Sequence, residues 1–191
     1  MEGRAMMLLA LALALALIAC SNTSLADAKY YSKTRPYTPM KNKITNLHFY
    51  YHDTLSGPNP SSVLVAKPKN TTKPKIAPFG SLYAIDDPLT VGPDPASKVI
   101  GRAQGLYVSS SQETTTLVMY VEFGFTAGEF NGSSISVVSR NLVENKEREV
   151  AVVGGRGKFR MAQGIALLKT YSLNPSTGDA IVEYNVTVVH Y

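Results

Sequence analysis

Cysteine is all but missing from this 191-residue chain: Cys20 is the only one. No intramolecular disulfide can form, so the fold must be stable through its own core. Tryptophan is absent, and of the three histidines His48 and His52 stand four apart on a stretch that reads as strand, where that spacing sets them about 13 Å apart, too far for one metal ion. With no cysteine cluster either, the sequence predicts no structural zinc site and no metal or redox cofactor. Helical periodicity is missing too: no segment repeats its apolar residues every 3.6 positions over the length a helix needs. Acids are scarce in one region. Between Lys29 and Lys75, nine basic residues accompany a single acid, Asp53. That imbalance suits polyanionic surroundings or a solvated face. It does not suit nucleic acid, because the lysines sit among prolines with no helix to present them.

Long hydrophobic runs reduce to one. Ala5 to Ala19 is unbroken Ala, Leu, Met and Ile, too short for a comfortable membrane span. Arg4 before it and Ala26-Asp27-Ala28 after it complete a secretion signal with cleavage after Ala28, a cut within Ala19 to Ser24 being the alternative. Leu17-Ile18-Ala19-Cys20 also resembles a bacterial lipoprotein box, which would lipidate Cys20 instead. Residues 1–28 are thus read as a signal peptide. Residues 29–45, with Pro36 and Pro39, are read as a basic flexible arm, and 46–191 as one exported domain large enough for a normal core.

What is present is β-pattern. The strand ending at Asp53 is followed by Ser61–Ala66, Phe79–Ile85, Val99–Ser109, Thr114–Phe125, Ser133–Arg140, Lys158–Leu173 and Ala180–His190. Residues 68–78 read as a long polar loop. Asp86-Asp87-Pro88 reads as a strand-ending turn in preference to a carboxylate site. Gly154-Gly155-Arg156-Gly157 lacks the helix and the Lys-Ser/Thr pair of a phosphate loop, so it reads as a glycine turn. Lys158-Phe159-Arg160-Met161 reads as strand with its basic residues outward. About eight strands with little helix predict an all-β closed barrel or a sandwich. A barrel of that size can enclose one small ligand.

The stretch Leu47 to Asp53 carries the chemistry. Side chains alternate along a strand, so Leu47, Phe49, Tyr51 and Asp53 share one face, and His48, Tyr50 and His52 the other. Asp53 is either a solvated strand end or an acid held at the wall of an apolar cavity, its pKa raised by burial.

Several runs resemble those of plant dirigent proteins. They are Phe49-Tyr50-Tyr51-His52-Asp53, Phe79-Gly80-Ser81-Leu82, Asp86-Asp87-Pro88-Leu89-Thr90, Gly101-Arg102-Ala103-Gln104-Gly105, Phe130-Asn131-Gly132-Ser133-Ser134, Val152 to Gly164 and Ala180 to Val188. The blocks fall in order from about Asn46 to Tyr191. The resemblance implies an eight-stranded antiparallel β-barrel, also the fold of allene oxide cyclases, a homotrimer, and secretion to the apoplast. It implies a phenolic small-molecule substrate. It further implies that a separate laccase or peroxidase makes phenoxy radicals, with the barrel directing their coupling, or the cyclisation of the resulting quinone methides, to one stereoisomer, as in lignan biosynthesis. Some relatives instead dehydrate an isoflavanol to a pterocarpan. A non-catalytic phenolic-binding protein of defence or the cell wall, with wall polyanions as partners of the basic arm, is a reading of a different class.

Residue by residue, the resemblance makes Asp53 a proton donor, Tyr107 a phenolic donor to a quinone methide oxygen, and Arg140 the pocket arginine, free to pair with Asp53 or a phenolate. Tyr107 alternates with Ala103 and Gly105, which leaves room beside it for a ligand ring. Phe49, Tyr51 and Ser133 are expected to line the substrate site. Pinoresinol-forming members generally carry aspartate where this chain has Ser133, and often tyrosine where it has Ser109. The chain therefore looks closer to the pterocarpan-forming and gossypol-related branch. Asn70, Asn131 and Asn185 each begin an Asn-x-Ser/Thr glycosylation sequon.

Overall fold

A computed structural model describes residues 41–69 and 77–191, together with Thr34, Pro36, Thr38 and Pro39. The expected signal peptide, about half of the basic arm (29–33, 35, 37 and 40), the centre of the 68–78 loop and Asn70 lie outside the described residues, and the last three residues of the expected arm, 43–45, are the start of the first strand. Nine strands follow one another: β1 (Lys43–Asp53), β2 (Ser62–Ala66), β3 (Leu82–Thr90), β4 (Val99–Ser109), β5 (Thr116–Phe125), β6 (Ser134–Leu142), β7 (Glu147–Arg156), β8 (Gln163–Leu173) and β9 (Ala180–His190). Every pairing is antiparallel. The order β1-β9-β8-β7-β6-β5-β4-β3 closes through a β1–β3 pairing, giving the expected eight-stranded barrel, with β2 as a ninth strand on β3.

The strands that close the barrel are not quite those read from the sequence. β7 is missing from that reading, and β2 takes its place in the count. Lys158 to Met161 is not strand: Gly157–Phe159 forms a 3-10 turn and Phe159 is fully buried. Asp86-Asp87-Pro88 does not end β3, which continues through it to Thr90. Proline is tolerated there because of where its missing N–H falls. Asp86 N–H donates to Ser61 O on the β1/β2 side, so position 88 faces the same side. That is where β2, paired up to Ile85, hands over to β1, paired at Leu89.

Alternation divides the lumen into two halves. At one end, inward side chains form an aromatic plug. Phe49 stacks on Tyr184 at 5.5 Å, Phe123 meets both edge-on, and Phe125 and Phe159 continue the packing. Phe49, Phe123 and Phe159 are wholly buried. Such rings bury the largest apolar areas per residue, which is how a chain without disulfides holds its barrel closed. The other end is not filled.

Candidate functional site

The open half of the lumen is a cavity of about 420 Å³. Its walls come from the same end of successive strands: Tyr51 and Asp53 of β1, Tyr83 of β3, Tyr107 of β4, Leu117 and Met119 of β5, Asn141 of β6, Arg148 of β7, Thr170 of β8, and Val182 and Tyr184 of β9. It is a largely apolar pocket with a few convergent polar groups, the form small-molecule sites take.

Asp53 lies at the last position of β1 with its carboxyl directed inward. Tyr107 Oη donates to Asp53 Oδ2 at 3.2 Å, while Oδ1 is buried with no hydrogen-bond partner. Burial pushes the carboxyl up to about 7, and the nearby Asp87 charge adds to this; hydrogen bonds from Ser62 and Tyr107 pull the other way. The acid therefore holds its proton near neutral pH, as the cavity-wall reading requires. Tyr107 stacks on Tyr83 at 4.9 Å and, buried beside Asp53, is kept neutral as a donor. The small residues before it do not make room for a ligand. A side chain at Gly105, whose φ is +151°, would strike the Tyr120 carbonyl of β5, and Ala103 does not reach the cavity. Glycine is there for close approach of the strands.

Three expected site residues lie elsewhere. Arg140 is exposed on the outer face of β6, opposite Val118. The inward positions of that strand are Ile135, Val137 and Asn141, so alternation sends Arg140 out. Ser133 is buried at the plugged end, where its Oγ accepts the Lys158 N–H at 3.1 Å. Phe49 is part of the plug and does not line the cavity. Tyr51, by contrast, does line it. Asn131 and Asn185 are exposed.

The arginine of the pocket is Arg148, eight positions further on. It is 6% exposed, and burial lowers its pKa. Its Nη2 donates to Thr170 Oγ1 at 2.9 Å and Nη1 to Val143 O at 3.4 Å, but Nε has no partner. Asn141 Oδ1, also buried, has none either. Among the described residues, four buried side-chain polar atoms lack a partner. Three of them, on Asp53, Asn141 and Arg148, belong to this cavity's wall. Buried polar atoms are expensive to leave unpaired, so three converging on one cavity point to a ligand that pairs them.

Residues 44–189 match the family model described as dirigent-like protein. The chain belongs to the dirigent family. Among relatives, it is 52% identical over 168 residues to dirigent protein 15 of Arabidopsis thaliana, covering 85% of this chain and 88% of that one. It is 48% identical over 171 residues to pterocarpan synthase 1 of Glycyrrhiza echinata, covering 88% and 90%. Two solved structures of pterocarpan synthase dirigent proteins share the barrel. One superposes with a TM-score of 0.75 at 51% identity over 81% of this chain and 89% of the other; the second gives 0.74 at 50% over 78% and 96%. This dirigent barrel thus combines a family fold with a cavity whose acid, arginine and amide come from β1, β7 and β6.

Proposed function

We propose that this dirigent barrel binds a flat phenolic in its lumen and imposes one stereochemical outcome on the coupling or cyclisation of phenylpropanoid radicals or quinone methides supplied by a separate laccase or peroxidase. The observation that carries this is the cavity itself: an aromatic and aliphatic wall bearing three unpartnered polar atoms, one on a carboxyl that keeps its proton near neutral pH. The ring system packs against Tyr51, Tyr83, Leu117 and Met119. Asp53 protonates the quinone methide oxygen, which makes the exocyclic carbon electrophilic. Arg148 Nε donates to an oxygen gathering negative charge at the far wall, and Asn141 Oδ1 accepts a substrate hydroxyl. When the ring closes, the proton of the attacking hydroxyl returns to Asp53.

A second reading, dehydration of a benzylic alcohol through a quinone methide as expected of the pterocarpan-forming branch, uses the same parts. Asn141 favours it. Deep in the cavity the wall offers one carboxyl, Asp53, with an amide on the other side; Glu144, at the rim, is exposed. One acid suits one quinone methide centre.

Export to the extracellular space, glycans on the exposed Asn131 and Asn185, homotrimeric assembly and contact of the basic arm with wall polyanions belong to the same reading. The decisive experiment supplies coniferyl alcohol with a laccase, and in parallel an isoflavanol alone, and resolves the products by chiral chromatography. One product enantiomer is expected in excess from at least one substrate, with no consumption of coniferyl alcohol when the laccase is omitted. Asp53→Asn is expected to slow cyclisation by about 10²–10⁴-fold, the usual worth of one general acid. Racemic products from both substrates would overturn the proposal.

A further inference from the structure

The seam of the barrel holds a second carboxyl that the chemistry above does not use. β1 and β3 pair through Tyr50↔Thr90 and Tyr51↔Leu89, and continuing that register sets Asp53 opposite Asp87. Asp87 shares the inner face of β3 with Tyr83, Ile85 and Leu89, all buried, and is itself 0% exposed. Like charges directly opposite one another oppose strand pairing. Here the β1–β3 ladder stops short of them and the start of β2 enters the gap. Ser61 and Ser62 donate their N–H groups to Thr54 O, at 2.9 and 3.0 Å. Their hydroxyls turn to Asp87: Ser61 Oγ donates to Oδ1, and Ser62 Oγ lies 3.2 and 3.3 Å from the two carboxyl oxygens. The Tyr51 phenol also favours the Asp87 anion, and the Ser62 hydroxyl the Asp53 anion. Asp87 is not part of the cavity wall.

We propose that Asp53 and Asp87 form a carboxyl pair carrying one proton between them, with Asp87 the positioning residue that keeps that proton on Asp53, facing the substrate. This rests on the function proposed above. Two carboxyls set opposite each other in a dry seam cannot both ionise cheaply. The proton belongs on Asp53 because three hydroxyls, of Ser61, Ser62 and Tyr51, favour the Asp87 anion, whereas Asp53 has Tyr107 on Oδ2 and a share of Ser62, and its Oδ1 has no partner. In the reaction the proton passes from Asp53 to the quinone methide oxygen. The doubly charged pair then takes back the proton that the attacking hydroxyl releases on ring closure. No proton is consumed and no bond to Asp87 forms. Around the pair, Tyr51, Tyr83, Tyr107 and Tyr184 stay neutral, their phenols pushed up by burial. Asp179 adds negative charge beside Asp53, Arg102 favours the Asp87 anion, and Arg148 lines the same cavity.

The test is carboxyl ¹³C NMR of the full chain labelled at aspartate, followed against pH without substrate. The Asp53 carbon is expected to titrate near neutrality in the wild type and about one unit or more lower in Asp87→Asn. The pH at which stereoselective cyclisation falls away should drop by the same interval. A purely structural Asp87 would lower melting temperature and activity at every pH and leave the Asp53 midpoint where it was, and that result overturns the pair. Should Asp87→Asn not fold, the wild-type titration decides: the Asp87 carbon must ionise first and show a second inflection at the Asp53 midpoint, and an Asp87 carbon with no inflection there refutes the coupling. Because the titration needs no substrate, a moved midpoint with racemic wild-type products would sustain the pair and overturn only the function.

Discussion

Asp53 weakens the fold it serves. Its folded carboxyl titrates at about 7 against an ordinary 3.8. Below about pH 4 the group is protonated whether the chain is folded or not, and burying it costs little. As pH rises through the window between the two values, the unfolded chain ionises while the folded one cannot, so stability is lost. Asp87, raised to about 6, acts in the same sense. His52 opposes them: burial lowers its pKa, so its contribution is lost as pH falls below its ordinary 6.5. Asp53→Asn should therefore raise the melting temperature at about pH 8 and change it little at about pH 4. Thermal denaturation at both values checks this; an equal change at each would mean the effect is packing alone. Asp53 is legible in the sequence because it is the single acid in a long basic stretch and closes a strand of alternating aromatics. Asp87 is not, because Asp-Asp-Pro is also a strong turn signal. Only the handover of β3 from β2 to β1 makes it strand.

At the scale of elements, β7 and Arg148 are hidden for one reason. In Glu147-Arg148-Glu149-Val150-Ala151-Val152 the inward positions are Arg148, Val150 and Val152, and the first is charged. An amphipathic strand whose inner face opens on a polar part of a cavity loses the alternation that would announce it. The missing strand took the pocket arginine with it, and the role fell to Arg140 on the adjacent strand, which alternation sends outward. Gly105 makes the opposite point: its spacing in β4 suggests ligand room, but its cause lies in the backbone. With φ at +151° and no space for a Cβ against β5, Gly105→Ala should destabilise the barrel by about 1–3 kcal/mol, the usual cost of overpacking. It should leave the cavity chemistry intact in whatever fraction stays folded. Chemical denaturation measures the first, and selectivity per folded molecule the second. A variant as stable as the wild type would mean that β5 can retreat from β4 without cost.

For the whole molecule, the closed barrel is legible from strand count and turn spacing, but its outer surface is not, because a sequence does not say which outward residues fall side by side. The register pairs Leu106 with Tyr120 and Tyr120 with Val138, and all three are exposed, Tyr120 by 64%. Val118, also exposed, extends this apolar row toward Arg140, its partner in the β5–β6 ladder. Contiguous apolar patches of this kind on a soluble domain mark interaction surfaces. This row is the surface a homotrimer would bury, with Arg140 on its rim. The substitution that tests it is Tyr120→Glu, which sets a charge in the middle of the row without touching any residue of the lumen. Light scattering at micromolar concentration should give a trimer mass for the deglycosylated wild type and a monomer mass for the variant. The variant should still quench its tyrosine fluorescence on binding a phenolic, since every group that pairs with the ligand lies inside a single barrel. A wild type that scatters as a monomer would remove the trimer. A variant that dissociates and also loses phenolic binding would mean that assembly shapes the cavity through β5, whose inner residues Leu117 and Met119 lie directly behind this outer row.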